Sequence, residues 1–406
     1  MRKYIVEGGR ELYGSVTVSG SKNAALPVLF ASLAVGGVSE ITNLPNIGDV
    51  RVALEILRCF GVSVEHSGST VRIFSEGAGY TDACRELASQ IRASTYLLGA
   101  CLCAFGKVSL MPFGGCNFSY RPIDIHLDAC AAFGAEREGD LLYMKAPRAT
   151  DFTVRKSSVG ASVNSLILAA SAEGESVLRG VAREPHIELL IKYLSSAGAK
   201  FRREGDILFV RGARLRGGRV RITPDMIEAG SYLIASAVAG GRVKVVGAPR
   251  EELNSLLILL ENCGMRVIAG DGYISLEGEP IREIEVTTAP YPGFPTDLQP
   301  IIAPLLGKGR GGRISETVWQ GRFGYLDSLK KQGLKYELGE NGALIYPSEY
   351  RPATVRASDL RGGAASVIAA LAARGRSEIE GAEIIERGYF DLSGKLCRLG
   401  ACVKVN

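Results

Sequence analysis

Two kinds of apolar stretch alternate along the chain. In the first, nearly every position is apolar, as in residues 96–105, 165–172 and 366–373. A helix with no polar face is buried on all sides, so these stretches predict interior helices. In the second, apolar side chains recur every three or four residues. Ile187, Leu190, Ile191 and Leu194 stand against Glu188, Lys192 and Ser195, the period of a helix with one face on a core and one in water. Short β-branched runs such as residues 38–42 and 71–74 predict the strands between them.

The alternation is a repeat. A helix end, a glycine and a strand recur at Gly61, Gly134, Gly198, Gly264, Gly333 and Gly400, about 64 to 73 residues apart. Each glycine stands where a helix C-terminus favours one. Every unit reads strand, helix, strand, helix, strand, strand. In the first unit, residues 15–18 open as a strand, 24–34 form the buried helix and 38–42 the next strand. Residues 49–60 form the amphipathic helix, and 62–64 with 71–74 close the unit as a hairpin. One helix inside and one outside per unit, walled by sheets, predicts an α/β fold of two three-unit domains. The first domain is placed at 22–222 and the second at 1–21 with 223–406, joined near Gly20 and Thr223. The sixth unit reaches Asn406 without its last strand, which residues 3–7 can supply. A cleft between domains is then the natural ligand site. Tandem stacking of the units into a solenoid is the competing architecture.

Composition narrows the class. Of 406 residues, 46% are hydrophobic and 22% charged, the values of a globular protein too long for one ordinary core. A net charge of +5 is small for this length and argues against a nucleic-acid binder. No apolar run reaches the roughly 18 residues of a membrane helix. The nine cysteines are odd in number and scattered, and residues 1–6 read as a strand, not a targeting segment. The expected compartment is the reducing cytoplasm. His66, His126 and His186 are far apart, so no metal site is expected. Gly307 to Gly312 fits GxGxxG, but it follows a helix and precedes a strand, the reverse of a dinucleotide fingerprint.

Because the units repeat, equivalent turns can be compared within the one sequence. The turns entering the buried helices hold Lys22 and Asn23, Arg92, Ser158-Val159-Gly160, Asp297 and Arg361. Helix N-termini with small residues offer N–H groups and a positive dipole end, which suits phosphate, and Lys22, Arg92 and Arg361 add full charges. The turns entering the outer helices hold Arg121, Arg183, Arg322 and Arg387. Several cations aimed at one cleft predict a substrate with several negative charges. Asp297 among them is either a general base or an ordinary N-cap. Cys116 follows Gly114-Gly115 and precedes Arg121; it is either a thiol of lowered pKa or a plain surface cysteine. His126 reads as a ligand contact or as a satisfied structural histidine, and Trp319 as packing.

Taken in order, eight motifs run in one register from end to end. They are Gly20 to Pro27, Arg92-Ala93-Ser94, Gly114-Gly115-Cys116 with Arg121-Pro122, Ser158 to Ala161, Arg183-Glu184-Pro185, Phe294-Pro295-Thr296-Asp297, Asp359-Leu360-Arg361 and Arg387-Gly388-Tyr389. Together they resemble the UDP-N-acetylglucosamine 1-carboxyvinyltransferase, or enolpyruvyl transferase, family. The resemblance implies two inside-out α/β barrels of three units each, closing over substrate. It implies transfer of enolpyruvyl from phosphoenolpyruvate to the 3-hydroxyl of UDP-N-acetylglucosamine, the first committed step of peptidoglycan synthesis. Lys22, Arg121 and Arg387 would hold the phosphate, with Arg92 and Arg361 adding to the anion site and Asn23 binding the sugar. Asp297 would take the proton of the attacking hydroxyl, and Cys116 would act as general acid and be the residue alkylated by fosfomycin. The backbone at Pro122, Ile123, Asp124 and Ile125, at Ser158, Val159 and Gly160, and at Val318 would line the nucleotide site. No cofactor, metal, nucleic acid or membrane partner is implied, and the oligomeric state stays open. The chain departs from the family pattern at Asn117 to Tyr120, at Phe113, at His186 and at Met226. The rival functions are the sister 3-phosphoshikimate 1-carboxyvinyltransferase and a non-catalytic paralogue that binds UDP-N-acetylglucosamine.

Overall fold

The computed structural model describes residues 2–114 and 122–406; the predicted site residues Cys116 and Arg121 lie outside the described residues. Leaving the 115–121 loop aside, the chain forms two compact units. One is built between Gly20 and Thr223, the other from Met1–Ser19 with Pro224–Asn406.

In the Gly20–Thr223 unit, the apolar helices Lys22–Ala31, Leu97–Phe105 and Val159–Ser171 form the core. In the other unit, Met226–Ala239, Gln299–Lys308 and Leu360–Ala372 pack against one another in pairs. Residues 360–371 are buried without interruption, as a helix apolar on every face requires. The outer helices keep one wet face: in Pro185–Ser196, Ile187, Leu190 and Leu194 are buried while Lys192 and Ser195 are exposed. All six repeat glycines have positive φ, from 83° at Gly61 to 121° at Gly198. A Cβ would be strained there. Among the described residues no helix is long and apolar enough to cross a membrane.

The sixth sheet is completed from the other end of the chain. Strand Lys3–Gly8 lies between Gly375–Glu380 and Cys402–Val405, antiparallel to both, with Tyr4 opposite Ile379 and Val405. It fills the place that Ile207–Arg211 takes in the third sheet, between Glu175–Arg179 and Lys200–Glu204.

Two features depart from the simple repeat. Residues 15–18 do not open the first unit's sheet. Residues 15–17 belong to strand Leu12–Thr17, which runs parallel to Gly241–Val246 in the fourth sheet with Leu12 opposite Gly241. Strand Arg219–Arg221, which by sequence opens the fourth repeat, pairs instead with Val38–Thr42 in the first sheet. The chain passes between units at Gly20 and Thr223, so each strand pairs in the unit it is about to leave. The second departure is the three-stranded second sheet, Lys107–Ser109, Leu141–Tyr143 and Glu136–Glu138, which among the described residues has no opening strand. The Tyr80 hydroxyl takes the edge hydrogen bond instead, accepting from Ser109 N at 2.7 Å. One side chain thus satisfies an edge amide that a paired strand would otherwise cover.

Candidate functional site

Each unit carries one group of the predicted residues, several of them at the N-termini of its buried helices. In the Gly20–Thr223 unit, Ser21 caps helix Lys22–Ala31 with its hydroxyl on Ala24 N. Lys22 is therefore the first helical residue. Its Nζ lies 3.2 Å from Oδ2 of Asp49, a buried carboxylate in the first turn of helix Gly48–Cys59. The pair ties the amine to one place. Arg92 begins the short turn Arg92–Tyr96 ahead of helix Leu97–Phe105, and burial lowers its pKa. Ser158 caps Val159–Ser171 with its hydroxyl on Ala161 N, placing Val159 and Gly160 in the first turn. Asn23 is half-buried beside Lys22. Pro122 and Asp124 are exposed and Ile123 and Ile125 half-buried at the start of helix Asp124–Ala132, where Asp124 faces Arg155 at 3.8 Å. A cavity of about 300 Å³ in the same unit contains none of these residues; its Arg51 and Arg58 pair with Asn46 and Glu55.

His126 resolves toward the structural alternative. Asn164 donates to its Nδ1 at 2.8 Å, while the Asn164 carbonyl oxygen accepts from Gly99 N. Nδ1 is thus an acceptor, and the ring proton sits on Nε2. The ring lies against the start of helix Val159–Ser171: a Cβ on Gly160 would come within 2.5 Å of Cε1, so only glycine fits. Burial, with a further push from Arg92, lowers the His126 pKa from 6.5 to about 4. The folded value lies below the unfolded one, so the unfolded chain takes up the proton first. Stability is full above about 6.5 and is lost as pH falls toward 4. Urea unfolding at pH 6.5 and 4.5 should show most of this loss, on the order of 2 kcal/mol for this group. His126→Gln should flatten that slope; an unchanged slope would count against a neutral buried imidazole.

In the other unit the predicted base is held by two cations. Asp297 Oδ1 accepts from Arg322 Nη1 at 3.0 Å, and Oδ2 accepts from Arg361 Nη2 at 3.0 Å and from its Nε at 3.3 Å. Both guanidinium side chains are almost wholly buried, at 5% and 3% exposure, while the carboxylate is 26% exposed. The helix that follows, Gln299–Lys308, takes Leu298 as its cap and makes no side-chain cap bond there. Asp297 is therefore an ion-paired carboxylate whose two oxygens accept hydrogen bonds from two guanidinium groups. Burial is the largest single influence on Arg361 and would lower its pKa, but the groups around it, Asp297 first and then Tyr389 and Asp225, together outweigh burial and raise the value above the ordinary arginine range. The Arg361 guanidinium also lies over the Tyr389 ring, 5.3 Å from its centre, and the Tyr389 hydroxyl meets Ser231 Oγ at 2.7 Å. Arg387 is half-buried in the turn between Glu386 and Tyr389, and Glu386 is anchored by Arg2 Nη2 at 2.9 Å. Met226 opens helix Met226–Ala239 behind Asp225, whose carboxylate accepts from Ile227 N and Glu228 N.

Asp49, Tyr389 and Glu316 were not predicted as site residues. Asp49 and Glu316 lie in no charged motif, and only a folded chain puts them beside Lys22 and Thr296. Arg322 was visible only as the repeat counterpart of Arg121.

A model of EPSP synthase (3-phosphoshikimate 1-carboxyvinyltransferase) matches residues 6–396. The fold is that of the enolpyruvyl transferase NikO from Streptomyces tendae, with TM-score 0.90 at 24% identity over 100% of this chain and 99% of that one. EPSP synthase from Acinetobacter baumannii follows at TM-score 0.73 and 17% identity, covering 100% of both chains. Fold and family model define the class as carboxyvinyl, or enolpyruvyl, transferases. The UDP-N-acetylglucosamine 1-carboxyvinyltransferase of Halothermothrix orenii is 39% identical over 414 residues, 100% of this chain and 99% of that one. That of Clostridium botulinum is also 39% identical, over 99% of each chain. The chain belongs to the UDP-N-acetylglucosamine 1-carboxyvinyltransferase family.

Proposed function

We propose that this protein transfers the enolpyruvyl group of phosphoenolpyruvate to the 3-hydroxyl of UDP-N-acetylglucosamine and releases phosphate, opening peptidoglycan synthesis in the cytoplasm. The reading rests above all on full-length 39% identity to relatives of that name, in a chain that keeps the charged residues the reaction needs. Each unit is taken as an inside-out α/β barrel, with the buried helices as its axis.

Phosphoenolpyruvate carries a phosphate and a carboxylate. Lys22, Arg121 and Arg387 bind the phosphate, and Arg92 and Arg361 add to the field around it. Asn23 binds the sugar, and the backbone at 122–125, at 158–160 and at Val318 borders the nucleotide. The sugar hydroxyl oxygen forms a bond to C2 of phosphoenolpyruvate as its proton passes to Asp297, while C3 gains a proton from the Cys116 thiol. Loss of a proton from the new methyl group and of phosphate from C2 then restores the double bond, now in an enol ether. Protonating C3 develops positive charge at C2, which an adjacent carboxylate offsets.

Phosphate release from phosphoenolpyruvate tests the reading directly. Release is expected with UDP-N-acetylglucosamine and not with shikimate 3-phosphate; the reverse would establish the sister activity, and release with neither would leave a binding protein. Cys116→Ser should lose most activity at neutral pH, whereas Cys101→Ser should not. The Cys101 thiol is buried, and burial pushes its pKa well above 9.0. Equal losses in both would remove the loop cysteine from the chemistry.

A further inference from the structure

One buried carboxylate outside the predicted site links two parts of it. Glu316 follows strand Gly312–Ser315 and is 2% exposed. Its Oε1 accepts from Thr288 Oγ1 at 2.8 Å, from Val318 N at 2.8 Å and from Trp319 N at 2.9 Å. Its Oε2 accepts from Thr296 Oγ1 at 2.9 Å. Thr296 in turn accepts Arg322 Nη1 at its hydroxyl, 3.0 Å, and at its carbonyl, 2.9 Å, and that same nitrogen reaches Asp297. Thr317 extends the arrangement, its N–H on Thr288 Oγ1 at 2.9 Å. A carboxylate that takes up four donors away from water is expensive to misplace and holds its neighbours in turn.

We infer that Glu316 is a positioning residue with two separable arms: Oε2 sets the Thr296–Arg322–Asp297 chain that serves proton transfer, and Oε1 sets the Val318-Trp319 backbone that serves nucleotide binding. The inference rests on the proposed transferase reaction. The two arms leave different oxygens, so chemistry can tell them apart. Glu316→Gln keeps an oxygen for Thr288, Val318 and Trp319 but puts an NH₂ group opposite Thr296. The Thr296 hydroxyl then faces two donors, the amide and Arg322, and must turn its own proton elsewhere. Thr296→Val removes the same link without touching Glu316. Glu316→Ala severs both arms.

The chain has one tryptophan, Trp319, whose N–H is on the Oε1 arm. Its emission reads that arm without any turnover. Glu316→Gln and Thr296→Val should each lower kcat roughly ten- to a hundredfold, as misplaced catalytic groups do. Both should leave Trp319 emission and the KM for UDP-N-acetylglucosamine within about twofold of wild type, the margin allowed to a binding arm left intact. Glu316→Ala should lower kcat and, in addition, shift the emission and raise that KM. Glu316→Gln and Glu316→Ala behaving alike in kcat, KM and emission would overturn the two-arm assignment, as would wild-type kcat in Thr296→Val. If the wild-type chain releases no phosphate, the transferase reading falls by itself. The emission then decides for the Oε1 arm: shifted in Glu316→Ala and unshifted in Glu316→Gln supports it, and the same emission in both variants overturns it.

Discussion

Asp297→Asn is expected to lower kcat by about 10² to 10⁴, the contribution of a positioned general base, while both KM values stay within a few-fold. The substitution keeps one oxygen for Arg322 or Arg361 but turns an amide NH₂ toward the other guanidinium and removes the basic site. A purely structural role for Asp297, holding Arg322 and Arg361, predicts a different result, lower stability with kcat little changed. Steady-state kinetics at neutral pH distinguish the two, and a kcat within threefold of wild type would dismiss the base. Asp297→Ala adds a stability cost. It removes the counter-charge shared by two side chains only 5% and 3% exposed, and losing one member of such a buried cluster costs about 3–5 kcal/mol. Asparagine removes the same charge, so chemical denaturation should place both variants well below wild type, with Asp297→Ala the lower by its lost hydrogen bond.

Lys22→Gln is expected to lower kcat/KM for phosphoenolpyruvate by roughly 10² to 10³, the scale of removing one fixed group that stabilises developing charge. Lys22 is tethered, its Nζ 3.2 Å from the buried Asp49, so a neutral side chain of similar length retains the packing but not the charge. Asp49→Asn separates charge from placement: the ammonium remains and its tether weakens. That variant should raise the KM for phosphoenolpyruvate several-fold, with a smaller fall in kcat than Lys22→Gln. A Lys22→Gln enzyme with unaltered kcat/KM for phosphoenolpyruvate would remove Lys22 from the phosphate site.

The sixfold repeat was legible because its marks are local. A helix that must stop in a left-handed turn takes glycine, and the six glycines are evenly spaced in sequence and all positive in φ. The two helix types were legible for the same reason, since burial on one face or on all faces is written in the residues of the helix itself. The closing of the sixth sheet by residues 3–7 could be foreseen from a count of strands. Strand partners could not. Nothing within residues 15–18 says that they pair beside Gly241–Val246 and not beside Val38–Thr42, because parallel pairing is settled by the path of the chain at Gly20 and Thr223. The missing strand of the second sheet was hidden in the same way, its bond to Ser109 supplied by Tyr80, 29 residues earlier.

The site followed the same division. Turns rich in small residues and cations marked where Lys22, Arg92, Asp297 and Arg361 stand. What those residues touch was not written nearby. Whether Asp297 caps a helix or pairs with arginines depends on Arg322, 25 residues on, and on Arg361, 64 residues on. Glu316 gave no signal, because a single acid after a strand is ordinary until four donors converge on it. His126 was ambiguous until Asn164, on another helix, was found to hold Nδ1.

The most direct measurement is the identity of the nucleotide product. After incubation with phosphoenolpyruvate, mass spectrometry should show UDP-N-acetylglucosamine heavier by one carboxyvinyl group in place of a hydroxyl hydrogen, with one phosphate released per product formed. Recovery of UDP-N-acetylglucosamine unchanged, whether phosphate appears or not, would contradict the account.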